Sequence, residues 1–177
     1  MKKSTIALSA LMFSAPFLLL AYAFDALPSE IPIIRNPFAG ATLVAPKSAF
    51  TVFRVPLINL THGLMAGVLL SRSEGFKDEK RRAAYSAFFS TLLFAVALKS
   101  NLEALDISRL AASFGGWITV GTVASVIGGL ALAFFRGRNA ALPWPEVRFG
   151  TRDKIALAVL VGVYLALVAA TFLVAHH

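Results

Sequence analysis

The sequence predicts an all-α integral membrane protein: one bundle of five transmembrane helices, residues 1–177, N-terminus cytoplasmic and C-terminus external. Three observations lead there. Apolar residues make up 58% of the chain and charged residues only 15%, with a mean hydropathy of +0.75. A water-soluble domain of this size has no interior large enough for that apolar surface. The apolar residues fall in five long continuous runs, where an outer-membrane barrel would show short alternating ones. The cations sit between those runs in a sorted pattern.

The first span is read at about 5–24, broken only by Pro16. Its Lys2-Lys3 start and Ala21-Tyr22-Ala23 end also fit a cleaved secretory signal. The run is longer than a usual signal core, so it is read as retained; cleavage would leave four spans in the same orientation. The other spans are read at about 49–71, 83–98, 114–135 and 155–175. Twelve of the 17 Lys and Arg precede the first span or lie in the loops after the second and fourth. The positive-inside rule puts those segments in the cytoplasm and leaves the 25–48 loop outside, with Arg35, Lys47, Arg54, Lys99 and Arg109 as the external cations. This sorting accounts for most of the net charge of +8 through the lipid bilayer, with no nucleic acid as partner.

Helices in lipid approach closely at small residues. Gly63 and Gly67, then Gly121, Ser125 and Gly129, then Ala158, Gly162, Ala166 and Ala170 recur every fourth position. Each stripe is expected to be a helix–helix seam. Beyond the third span, Lys99–Glu103 and Asp106–Arg109 have intrahelical pair spacing, and Leu98, Leu102, Leu105 and Leu110 form an apolar stripe. The expected picture is a helix leaving the outer interface with one wet face, the alternative a ligand-facing charge cluster.

Asn59, Thr61 and His62 are the polar group expected deepest in the membrane, with Asn59 and His62 on one face. His62 offers proton relay, pH sensing or cofactor ligation; as a lone membrane histidine it better suits an interhelical hydrogen bond to Ser or Thr. There is no phosphate loop, metalloprotease helix or serine-hydrolase elbow, and no cysteine to serve as nucleophile or soft metal ligand. The expectation is a non-enzyme without cofactor or metal.

The first external loop is the most distinctive segment. Leu27, Pro28, Ile31, Pro32, Asn36 and Lys47, with Gly40 displaced by about one position, resemble the N-terminal domain of the SdpI-like bacterial membrane proteins. Ile34 stands where that family has a histidine, and Thr42 where it has an acid. The resemblance spans roughly residues 5–70. It implies a multi-pass protein of the bacterial inner membrane, active in immunity against a secreted peptide toxin or in membrane signalling. Pro28, Ile31, Pro32, Asn36, Gly40 and Lys47 would then form an external loop for a protein or peptide partner. The alternatives are a small carrier or channel using Asn59, Thr61 and His62, or an accessory subunit of a larger membrane complex. The prolines stiffen the loop and Asn36-Pro37 and Gly40 turn it, so it is expected to cap the outer helix ends.

Overall fold

The computed structural model describes residues 3–35, 42–108, 121, 124–125, 127–129, 131, 135 and 149–175. Among the described residues, four helices are long and apolar enough to cross a membrane. They are α1 (Lys3–Ala23), α2 (Ala49–Ser71), α3 (Glu79–Ile107) and α4 (Thr151–Ala175). These answer to the first, second, third and fifth expected spans. Most of the fourth, 114–135, lies outside the described residues; those of it that are described, from Gly121 to Phe135, are helical.

Local chemistry explains where the helices begin. Ser48 opens α2 with a reciprocal capping box: its Oγ accepts from Thr51 N at 3.1 Å, and Thr51 Oγ1 accepts from Ser48 N at 2.7 Å. Asp78 opens α3 by accepting from the amides of Lys80 and Arg81. At the start of α4, Asp153 accepts from Gly150 N at 2.9 Å.

Between α1 and α2 the chain forms an antiparallel hairpin, β1 (Glu30–Arg35) with β2 (Thr42–Pro46). The sequence reading assigned no strands, so these two are an addition to the all-α expectation. Pro32 cannot donate to a ladder, and the pairing slips beside it, between Pro32 and Ile34.

The helices run alternately. α1 climbs toward the hairpin, α2 descends from it, and α3 climbs again beside both. α4 lies antiparallel to α2, with Asp153 at the foot of α2 and Tyr164 at its middle. The segment after α2 and the start of α4 therefore share one end of the bundle, and the hairpin occupies the other. Two apolar clusters hold the helices together. One, toward the basic end, joins Phe13, Ala66, Leu70, Phe89, Leu93 and Ala97. The other, under the hairpin, joins Leu20, Leu27, Ile31, Val52, Ala104 and Ile107.

Three expectations need correction. First, the expected helical continuation past Leu98 is present, to Ile107, but it is packed: Ser100, Ala104 and Ile107 are buried. Second, the leucines of α3 do not form its packed stripe. Leu98 is exposed and Leu102 and Leu105 are only partly covered, while Ala97, Ser100 and Ala104 face the neighbours; Leu110 lies outside the described residues. Lipid accommodates leucine as well as a neighbouring helix does, so small residues are what admit a close neighbour. Third, the small stripe of α4 points outward, with Ala158, Gly162 and Ala166 exposed. Two contacts set that rotation, the ion pair of Asp153 with Arg72 and the ring contact of Tyr164 with His62. At 3.6 residues per turn these two lie about 20° apart on α4, and Gly162 lies about 180° from Asp153. The other stripes divide. Gly63 meets the Phe13 ring and Gly129 meets Thr91, while Gly67 and Gly121 meet nothing within 4 Å.

Candidate functional site

The two apolar clusters are separated by a polar layer, and the hairpin is tied down above it. The tie begins with Lys47, whose Nζ donates to the carbonyls of Phe24 at 3.3 Å and Leu27 at 3.1 Å, with Asp25 O at 3.4 Å. These carbonyls belong to the turn where α1 ends, Phe24 O also accepting from Leu27 N at 3.2 Å, and a cation there suits the helix dipole. The same ammonium stands 5.6 Å over the Phe24 ring. Lys47 N reaches across to Ser29 O at 2.7 Å, closing the base of the hairpin.

Arg54 makes the second tie. It lies on the second turn of α2 and is only 2% exposed. Its Nη2 donates to Pro32 O at 2.8 Å and Ile33 O at 2.7 Å, and its Nη1 to Thr51 O at 2.8 Å. The irregular pairing beside Pro32 leaves two successive carbonyls of β1 to be met by one guanidinium. Sequence reading counted Arg54 only as an external charge. The missed signal was an arginine inside an apolar span, where it is costly unless its donors are met.

Below Arg54 lies Glu103, within Coulombic reach of it. Glu103 Oε2 accepts from Asn59 Nδ2 at 2.9 Å, and Oε1 stands 3.6 Å from Lys99 Nζ, one turn earlier on α3. Asn59 is 1% exposed, while Lys99 and Glu103 are part-covered. Asn59 lies ten residues into α2, about 15 Å from its start and about 18 Å from its end at Ser71. The ion pair therefore stands level with the middle of α2.

His62 continues the layer, its ring 4.7 Å from that of Tyr164 on α4, with Lys99 within Coulombic reach. Thr61 turns back on its own helix, donating to Leu57 O at 2.9 Å. Asn101 donates to Met12 O at 2.9 Å and Ala97 O at 2.8 Å. The first bond has a direct cause. Pro16 has no N–H, so the carbonyl four residues before it loses its helical partner, and a side chain of α3 supplies the donor. The Ser100 hydroxyl, fully buried between Lys99 and Asn101, has no partner among the described residues.

The structure thus brings Asn59 and His62 into one layer and sets Thr61 apart from it. Of the expected loop residues, Ile31 is fully buried, Pro28 and Pro32 are half-buried, and Lys47 is engaged by carbonyls. Asn36 and Gly40 lie outside the described residues. Among the hairpin side chains described, Glu30, Leu43, Val44 and Pro46 are exposed instead. Among the described residues no group of three or more His, Cys, Asp or Glu is placed to hold a metal ion. No protein-family model, curated protein or solved structure matches the chain.

Proposed function

We propose that this chain is a non-catalytic, multi-pass membrane protein that binds a protein or peptide partner on its hairpin end and senses that partner across the bilayer. One observation carries the reading. The hairpin is bonded to Arg54 of α2, whose charge lies within Coulombic reach of Glu103, and Glu103 in turn meets Asn59 and Lys99. A rigid external platform with exposed Leu43 and Val44 suits recognition. The polar column beneath it gives a bound partner a physical route into the helices. The resemblance of the loop to the SdpI-like proteins supports a secreted peptide as the partner, with peptide-toxin immunity or signalling as the outcome. The positive-inside rule supports a bacterial inner membrane with the hairpin external.

The test pairs genetics with capture. Cells lacking the gene should become sensitive to a co-encoded or endogenous peptide toxin. A photocrosslinker at Val44 should capture that peptide from intact cells, and Arg54→Met should abolish protection while leaving the protein in the membrane. Unchanged sensitivity to every such peptide, with no adduct at Val44, would defeat the proposal.

A carrier is the second reading, favoured by the charged pair near mid-depth, because ionisable groups there commonly line solute paths. Flux into proteoliposomes that is indifferent to both His62→Ala and Glu103→Gln would remove it.

A further inference from the structure

α1 and α2 touch at Phe13 and Gly63, and an open apolar cleft of about 760 Å³ runs between them along the outside of the bundle. Phe13, Phe17, Leu60, Leu64, Gly67 and Val68 line it, with Leu93 of α3 at its floor. Along α2 it extends from Leu60 to Ser71, about 16 Å at 1.5 Å per residue. One leaflet of a hydrocarbon core about 30 Å thick is about 15 Å deep. The cleft is thus one leaflet long, from the polar layer to the end of α2. A partner helix would need a seat twice that length; an acyl chain needs this one.

Charge at the mouth selects the headgroup. The end of the bundle where the cleft opens carries seven Lys and Arg against four acids in residues 71–82 and 151–154. Lys77, Lys80, Arg82, Arg152 and Lys154 are exposed there. Asp153, one of those acids, is already engaged by Arg72. We propose that the α1–α2 cleft is a binding site for one acyl chain of an anionic phospholipid, drawn from the leaflet on the basic side of the protein. The floor recognises the hydrocarbon and the cations recognise the phosphate.

The full chain, reconstituted in nanodiscs, is probed by electron spin resonance with spin-labelled phosphatidylglycerol and, separately, phosphatidylcholine. Wild type should immobilise about fivefold more of the anionic lipid, the factor one engaged cation supplies at a membrane surface. Gly67→Leu should abolish the immobilised fraction without lowering the melting temperature, since a Cβ at Gly67 meets nothing within 4 Å. Lys77→Ala with Lys80→Ala and Arg82→Ala should erase the preference between lipids yet leave a chain immobilised. If Gly67→Leu does not fold, a fluorophore on Leu64→Cys gives the same decision: acyl-chain quenching must be stronger with the anionic spin-labelled lipid. Equal immobilisation of both lipids by wild type overturns the headgroup assignment. An immobilised fraction that survives Gly67→Leu, or equal quenching at residue 64, overturns the cleft as the seat.

Discussion

Asn101 and Pro16 form a couple that a double-mutant cycle can isolate. Pro16 is fully buried on α1 and leaves the Met12 carbonyl without its usual donor; Asn101 Nδ2 fills that place at 2.9 Å. Replacing Asn101 with Leu strands the carbonyl in an apolar surround, which costs about 1–3 kcal/mol in a protein interior. Interhelical hydrogen bonds in membranes average about 0.6 kcal/mol and reach about 1.7. A net loss of about 1–1.5 kcal/mol is therefore expected for Asn101→Leu. In a Pro16→Ala background the restored N–H of residue 16 meets Met12 O from within α1. The same Asn101→Leu should then cost about 0.5 kcal/mol or less, the remainder reflecting the bond to Ala97 O. The coupling of about 1 kcal/mol is read from reversible unfolding in mixed micelles, all four variants in parallel. Equal costs of Asn101→Leu in both backgrounds would show that the proline does not create the demand Asn101 meets.

Three further outcomes follow from particular contacts. Gly63→Ala should destabilise the bundle by about 1–3 kcal/mol, because its Cβ would stand 2.8 Å from two carbons of the Phe13 ring; Gly67→Ala should melt within a degree or two of wild type in the same thermal scan. Removing Glu103 alone as Glu103→Leu should cost about 3 kcal/mol or more by leaving Lys99 unpaired at mid-depth, and adding Lys99→Leu should recover much of it; a double variant no more stable than the single refutes the pairing. Because the chain has no cysteine, single-cysteine labelling reports sidedness cleanly. Lys77→Cys should react with an impermeant maleimide only in inverted vesicles and Val44→Cys only in intact spheroplasts, whereas labelling of both from one side would contradict an antiparallel α2 reaching across the bilayer.

Four long apolar helices were legible in the sequence, because a bilayer demands about 20 apolar residues in a row and that demand is local. The first, second and last spans are found within a few residues of their expected limits. The capping role of the loop was legible too, since proline acts on its own backbone, and the hairpin does cap the helix ends. What sequence could not supply was which face of each helix meets protein. In water the apolar face is the buried one, but lipid is as apolar as a neighbouring helix, so periodicity ceases to mark the interface. That is why the leucines of α3 were expected inside and the alanines are found there, and why the small stripe of α4 points outward. Depth was hidden for a related reason. Residues 99–103 follow an apolar run and resemble its exit, and only the pairing of α3 with α2 puts Glu103 opposite Asn59 near mid-span. Tertiary packing likewise decided that Arg54, counted from the chain as one more external charge, is the bolt of the hairpin. Its partners, the Pro32 and Ile33 carbonyls, lie more than 20 residues away, beyond the range of any local pattern.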